Sequence, residues 1–307
     1  MFKFNISANE ERNFEKKHIL KLKDEYLNTN TINKYKEDKG YRDKIDQIKS
    51  FLDKYKTSGY ILDIGSNTSG ESEILYHFGH NMVASDINEI ALSISKKRSL
   101  FHRDEKLNYI AMDAHNIPFI DNTFDKIIAY EMLHHMEKIK ISLDEMFRVM
   151  KPGGFFFTVE PYALNPYRRI TEIRDYFRGT IEKSFTRSKL KKLFLSSGFI
   201  IQEIKMVPFI YPETKIKNSS WLRGKLKKFY STVSSNFTSV FGMIYLLAKK
   251  PGNIDTNSFK LFDNLKCPIT SEKLFYDDNY YYNLSKTKKY KCYDNIPVII
   301  KDEVIKI

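Results

Sequence analysis

The chain has 307 residues, of which 42% are hydrophobic and 14% aromatic, so it can bury one substantial core and still carry additions. Its formal net charge of +13 predicts an acidic partner or, alternatively, the solvated basic surface that a compositionally biased genome produces. Two cysteines outside any CxxC spacing exclude a disulfide framework, and the longest apolar run, around residues 240–248, is too short to span a bilayer, so we expect a soluble cytoplasmic protein.

Residues 1–58 are rich in charges of both signs and predict a helical N-terminal lid. Within them, residues 41–55 place Ile45, Ile48, Phe51 and Leu52 on one helical face. We therefore expect this helix to pack on the rest of the protein through these four side chains.

From residue 60 onward, short apolar runs alternate with helical stretches. Strands are predicted at 60–64, 82–86, 108–112, 126–131 and 155–160, and helices at 71–78, 89–97 and 140–150, with a structural turn at 151–154. Alternating units of this length predict an α/β fold, in which a parallel sheet carries helices on both faces.

After residue 160 the pattern changes to a helix at 187–197 and two strands at 199–207 and 239–249. Residues 161–186 and 210–237 are expected to form a cap and a flap, because 210–237 is too long for a tight turn. Residues 251–262 resemble a linker, and residues 263–307 a small β-rich module.

The segment at residues 60–70 is an apolar run that stops at Asp63 and continues into a turn with Gly65, Asn67 and Gly70. A short buried strand brings Asp63 to the carboxyl edge of the sheet, and the glycines let the backbone approach a ligand. The turn could be a variant of the dinucleotide-binding GxGxxG, since Asn67 tolerates a left-handed backbone. Asp63, two residues before the first glycine, instead favours a ligand with a positively charged amino-acid group.

Two further acids end the next two predicted strands. Asp86 could accept hydrogen bonds from both hydroxyls of a ribose, and Asp113 could accept one from an adenine amino group. The alternative is that these are ordinary strand-end or helix-capping acids.

Five segments in order, Asp63-Ile64-Gly65, Asp86, Met112-Asp113-Ala114, Leu133-His134-His135 and residues 148–154, resemble the class I S-adenosylmethionine-dependent methyltransferases. The likeness is greatest to the branch that contains the quinone-biosynthesis C-methyltransferases, and it covers roughly residues 41–250. It implies a Rossmann-like, seven-stranded, mostly parallel sheet, with S-adenosylmethionine as cofactor.

The resemblance also implies roles for individual residues. The residues expected to bind the cofactor are Asp63, Gly65, Ser66, Asn67, Asp86, Ile87, Asp113, Ala114 and Tyr130. His135, Glu131 and Glu160 are the candidates for a general base, which only a weak nucleophile would need. This chain has Asn67 and Ser69 where the family has glycines, and a catalytically silent binding scaffold is therefore an alternative.

Two features that the sequence lacks narrow the class of methyl acceptor. No Asn-Pro-Pro-aromatic motif follows the fourth predicted strand, and neither cysteine lies in the predicted core. We therefore expect a small-molecule, saccharide or lipid-like acceptor, with an RNA methyltransferase as the second choice. The segment at 165–178, rich in arginine and aromatic residues, is expected to recognise a phosphate or carboxylate or to be a surface helix.

Residues 215–230 interleave Trp221, Leu226 and Phe229 with basic residues and contain no acid. This pattern is compatible with peripheral contact with an anionic membrane or with nucleic acid, or with a packed helix that has a solvated basic face. Residues 263–307 are similar to a small zinc-ribbon-like domain known as a methyltransferase activator. Thr270 stands where a second thiolate would be, so we expect this module to bind no metal.

Overall fold

The computed structural model describes residues 8–101, 107–166, 183–209, 220–253 and 260–307, together with residues 168, 169 and 172. The helices are α1 (Ala8–Lys21), α2 (Lys23–Asn28), α3 (Thr31–Glu37), α4 (Lys39–Lys54), α5 (Gly70–His77), α6 (Glu89–Phe101), α7 (Ile139–Val149), α8 (Arg187–Ser196), α9 (Trp221–Asn236) and α10 (Thr238–Phe241). The strands are β1 (Ile61–Ile64), β2 (Met82–Asp86), β3 (Asn108–Met112), β4 (Phe124–Tyr130), β5 (Met150–Pro161), β6 (Ile200–Val207), β7 (Met243–Lys249), β8 (Leu274–Asp277), β9 (Tyr280–Asn283), β10 (Lys288–Tyr293), β11 (Ile296–Ile299) and β12 (Ile305–Lys306). None of these helices has the length and apolar content needed to cross a bilayer.

The strands form one mixed sheet of twelve strands in the order β6-β7-β5-β4-β1-β2-β3-β11-β10-β9-β8, with β12 against β10. Strands β1 to β5 pair in parallel with one another, and β7 lies antiparallel between β5 and β6. The expectation of seven mostly parallel strands is therefore wrong in number, although an α/β sheet is confirmed. The additional strands join through the edge of β3, where Val298 pairs in parallel with Ala111 and covers backbone groups that would otherwise be unpaired.

Several boundaries differ from the sequence prediction, and two of these differences have a clear local cause. Strand β7 begins at Met243 rather than at residue 239, because residues 238–241 are helical. The turn expected at 151–154 is part of β5, because the Gly153 N–H donates to the Lys250 carbonyl and the Lys250 N–H donates to the Gly154 carbonyl, both at 2.9 Å. The limits of β2 and β3 are confirmed.

Helix α4 packs through the face that its sequence predicts. Ile45, Ile48, Phe51 and Leu52 are all buried, and the Phe51 ring stacks on Phe157 of β5 with 5.1 Å between centroids. The buried residues of α4 and Phe157 belong to one hydrophobic cluster, so α4 and the central strands share a core.

A buried ion pair connects the N-terminal helices to the glycine turn. The Arg98 guanidinium lies 2.7 Å from the Glu73 carboxylate, and both side chains are at most 3% exposed. Arg98 also donates to the backbone carbonyls of Tyr26 and Thr68, and the Thr31 hydroxyl donates to Glu73 at 3.1 Å. This cluster fixes Thr68, which lies within the turn after β1, against α2 and α3.

In the C-terminal part of the chain, β8, β9 and β10 form an antiparallel meander. The buried Cys267 thiol lies 3.2 Å from the Tyr290 hydroxyl and accepts the Thr270 N–H at 3.4 Å. Thr270 therefore stabilises this turn through its backbone N–H, which donates to the Cys267 sulfur. The predictions for residues 1–7, 173–182, 210–219 and 254–259 lie outside the described residues.

Candidate active site

A cavity of about 450 Å³ opens where β1, β2, β3 and β4 end. All nine residues expected to bind a cofactor line it, and so do two of the three candidates for a general base. The predicted residues in the lining are Asp63, Gly65, Ser66, Asn67, Asp86, Ile87, Asp113, Ala114, Tyr130, Glu131 and His135. The ends of parallel strands meet at one edge of a sheet, so acids distant in the sequence converge there.

The turn after β1 keeps a glycine-like path although two of the family's glycines are replaced. Gly65, Asn67 and Ser69 have φ values of 73°, 48° and 52°, all in the left-handed region. A Cβ built on Gly65 would lie 2.5 Å from the Met132 sulfur, so an alanine here would have to displace the Met132 side chain and adopt an unfavourable φ. The Ser66 and Ser69 hydroxyls lie 3.0 Å apart and link the two ends of the turn.

Asp63 is a buried carboxyl at the end of β1. It accepts a hydrogen bond of 2.5 Å from the Ser72 hydroxyl, and its backbone carbonyl accepts one of 2.8 Å from Ser85. Burial raises the pKa of Asp63 to about 7, against the opposing effect of the Ser72 hydrogen bond. A cation placed in the cavity would favour the ionised form of this carboxyl.

Asp86 ends β2 and connects two turns. Its carboxylate accepts the Asn67 N–H at 2.8 Å and the Asn88 N–H at 2.9 Å. Asp86 therefore fixes these two turns through their backbone, and it also lines the cavity. The side chain that caps the start of α6 is that of Asn88, whose oxygen accepts the Ile90 and Ala91 N–H groups. Asp86 holds the glycine turn against the end of β2.

Asp113 follows β3 and pairs with His115, which was not among the predicted site residues. His115 bonds to the Asp113 carboxylate through its backbone N–H at 2.9 Å and through Nδ1 at 2.7 Å. Burial acts to raise the pKa of Asp113, but the bonds from His115 hold it below its usual value. His115 also lines the cavity, and its spacing of two residues from a strand-end acid is the signal that could have indicated it.

The lining also contains a lysine from the N-terminal helices. The Lys44 ammonium of α4 lies 2.9 Å from the Glu71 carboxylate and 4.3 Å from the centre of the Tyr130 ring. Burial would raise the pKa of Glu71, but Lys44 lowers it to about 2. Next to Tyr130, Glu131 has a φ of 53°, a left-handed conformation that is uncommon for residues other than glycine.

Glu160, the third candidate for a general base, is not among the residues that line the cavity. It is fully buried and accepts the backbone N–H groups of Met132 and Leu133 at 3.2 and 2.8 Å. Its second oxygen lies 2.8 Å from Nδ1 of His134. Glu160 thus fixes the short 3-10 helix Leu133–His135, which presents His135 to the cavity.

The chemistry of this lining fits S-adenosylmethionine. Asp63, Asp86 and Asp113 are hydrogen-bond acceptors at the ends of three adjacent strands. The cofactor carries three groups of donors, an ammonium, a ribose diol and an adenine amino group. The volume of the cavity lies in the range of small-molecule sites.

Residues 62–158 match a family model described as a methyltransferase domain. Over 105 residues the chain is 34% identical to the ubiquinone/menaquinone biosynthesis C-methyltransferase of Zymomonas mobilis, covering 34% of this chain and 43% of that protein. It is 32% identical over 112 residues to the sterol 24-C-methyltransferase of Pneumocystis carinii, covering 35% of this chain and 29% of that protein. The chain therefore spans less than half the length of these two relatives.

A solved structure of phosphoethanolamine N-methyltransferase 2 from Haemonchus contortus, in complex with S-adenosyl-L-methionine, has the same fold. The TM-score is 0.53 at 16% identity, over 68% of this chain and 53% of that one. The family match does not reach residues 263–307, and the similarity of that segment to a zinc-ribbon-like domain finds no support in it. Residues 62–158 of this chain thus resemble a methyltransferase domain, and the relatives that the chain matches are named as methyltransferases.

Proposed function

We propose that this protein transfers a methyl group from S-adenosylmethionine to a small-molecule or lipid-like acceptor. The observation that carries the proposal is the composition of one cavity, which combines the three strand-end acids with apolar side chains. The apolar part consists of Ile48, Leu75, Met132 and Met136. The relatives reported above are named for a quinone pathway and for sterols, and an apolar lining suits acceptors of that class.

The chain's own residues have separate tasks in this proposal. Asp63 binds the ammonium, Asp86 the ribose hydroxyls, and Asp113 with Ala114 the adenine. The cofactor supplies a methyl group already activated on a sulfonium, so the protein has mainly to align the acceptor and exclude water. Glu131 or His135, both in the lining, takes the proton of an acceptor that must lose one.

Calorimetric titration with S-adenosylhomocysteine and, separately, with NAD tests the cofactor part. We expect S-adenosylhomocysteine alone to bind, and Asp86→Ala to weaken it about tenfold or more, because hydrogen bonds to a carboxylate are lost. Asp144→Ala, an exposed acid of α7, is the matched control and should bind as the wild type does. Binding of neither ligand would favour the silent scaffold, and binding of NAD alone would favour a dehydrogenase.

Transfer of a labelled methyl group to quinol, sterol, saccharide and RNA acceptors tests which class of acceptor the protein methylates. Turnover on RNA alone would replace the small-molecule proposal with the RNA methyltransferase. His135→Ala and Glu131→Gln separate the two candidate bases, provided that S-adenosylhomocysteine binding is intact. Glu160→Gln should keep its rate, because the amide oxygen still accepts the Leu133 N–H. Loss of turnover with intact binding would show that the Glu160 carboxylate is required, either as the base or to position His135.

A further inference from the structure

Helices α9 and α10 expose large apolar side chains. Trp221, Phe229 and Leu226 of α9 are 73%, 68% and 57% exposed, and Phe237 and Val240 beside them are 62% and 42% exposed. Single exposed apolar residues are ordinary, but five within twenty residues form a patch, and such patches mark interaction sites. The side chains of residues 222 and 223 lie outside the described part of the chain.

This exposure does not come from a loosely packed helix, because the opposite face of α9 is anchored. Gly224, Tyr230 and Ser234 are buried. The Tyr230 and Ser234 hydroxyls each donate to the Phe241 carbonyl at 3.0 Å. The helix therefore has a defined inner face, and its apolar outer face, which we call the α9–α10 patch, consists of the five exposed residues named above.

The α9–α10 patch is interleaved with cations. Residues 214–254 contain no aspartate or glutamate, and six lysine and arginine residues lie within 215–228. Lys225 and Lys228 of α9 are exposed, and the Lys225 ammonium lies 4.0 Å from the centre of the Trp221 ring. Aromatic and aliphatic side chains flanked by lysines are the composition of helices that lie in the interface of a bilayer.

The patch lies on the same edge of the sheet as the cavity. Helices α9 and α10 connect the end of β6 to the start of β7, and Met243 at that start pairs with Pro161 at the end of β5. Leu164, which follows β5 at this edge, is 59% exposed, and the neighbouring Asn165 donates to the Phe241 carbonyl at 2.9 Å. A surface that bound this patch would therefore face the edge at which the cavity opens.

We propose that the α9–α10 patch docks on an anionic lipid bilayer. The aliphatic members, Leu226, Val240 and the neighbouring Leu164, favour a lipid surface over nucleic acid, because they offer no ring on which a base could stack. The run of cations without acids favours an anionic surface over a second copy of this positively charged face. The proposal rests on the proposed function in one respect, since a bilayer would be the source of an apolar acceptor.

The single tryptophan of the chain, Trp221, reports directly on the proposal. We expect its emission to shift to the blue with vesicles of equal parts phosphatidylcholine and phosphatidylglycerol, and not with phosphatidylcholine alone. Lys225→Gln with Lys228→Gln should lower the apparent vesicle affinity about 30-fold, at a factor of about five per lysine. Leu226→Ala with Phe229→Ala should lower it about tenfold or more and keeps the tryptophan.

Leu284→Ala is the matched control, because Leu284 is as exposed as Trp221 but lies between β9 and β10, at the other end of the sheet order. It should bind vesicles as the wild type does. Absence of a blue shift with anionic vesicles, or equal binding by all variants, would overturn the proposal. A gel-shift with RNA in the absence of vesicle binding would assign the patch to nucleic acid instead. S-adenosylhomocysteine binding, measured on the same samples, separates failure of the patch from failure of the proposed function.

Discussion

Replacement of Arg98 by methionine tests the buried ion pair that anchors the glycine turn. Arg98 donates to Glu73 at 2.7 Å and to the carbonyls of Tyr26 and Thr68, so Arg98→Met leaves a buried carboxylate without its counter-charge. Removing one partner of such a buried ion pair lowers the free energy of unfolding by about 3–5 kcal/mol. The hydroxyl of Thr31 still donates to Glu73, and we therefore expect a value near the lower limit.

Urea unfolding at neutral pH, followed by circular dichroism, measures this difference. Glu73→Met with Arg98→Met removes both charges and should lie within about 2 kcal/mol of the wild type, since an apolar pair of similar volume is often tolerated. Lys39→Met, which breaks the exposed pair with Asp43, is the control and should change stability by less than about 1 kcal/mol. An Arg98→Met variant no less stable than Lys39→Met would refute the reasoning.

Three further predictions concern the cavity. The pKa of Asp63 is about 7 in the folded protein, above the usual 3.8, so this carboxyl makes the free energy of unfolding fall as pH rises between these two values. Asp63→Asn should flatten that part of the curve of stability against pH. An unchanged curve would contradict the raised pKa. Gly65→Ala should abolish S-adenosylhomocysteine binding in calorimetry, whereas Gly79→Ala, also at positive φ but with nothing within 4 Å, should retain it. Lys44 lowers the pKa of Glu71 to about 2, so this ion pair stabilises the fold above about pH 4.5 and no longer does so below pH 2. In urea unfolding at neutral pH, Lys44→Met should lower the free energy of unfolding by about 1 kcal/mol. If the same loss persists at pH 2, the ion pair is not its cause.

Local sequence patterns predicted the parts of the fold and site that depend on neighbouring residues. Strand β2 reads as an apolar run ended by Asp86, and the structure has the same limits. Lys44 carries no local signal, because a lysine between the apolar positions of a helix resembles any solvated residue until α4 is placed over the cavity. Glu160 resembles the other strand-end acids in sequence, and only its burial and its bonds to the backbone of residues 132–134 distinguish it.

The widening of the sheet by residues 274–306 could not be predicted in the same way. The sequence indicated a small β-rich segment there, but the pairing of Val298 with Ala111 depends on two strands that are far apart in the chain. Which edge a short apolar strand selects is a property of the assembled sheet. The separation of residues 263–307 as a module of their own stays a prediction.

The pairing of β11 with β3 also bears on how the chain reaches its native state. Val298 follows Ala111 by nearly two hundred residues, and parallel contacts of such long range form slowly because a large loop must close first. During synthesis β3, which is followed by the cavity acid Asp113, is left as an open edge until almost all of the described chain has emerged. We expect the cavity to become competent for ligand binding late in folding, and the chain to aggregate through β3 whenever that last closure fails.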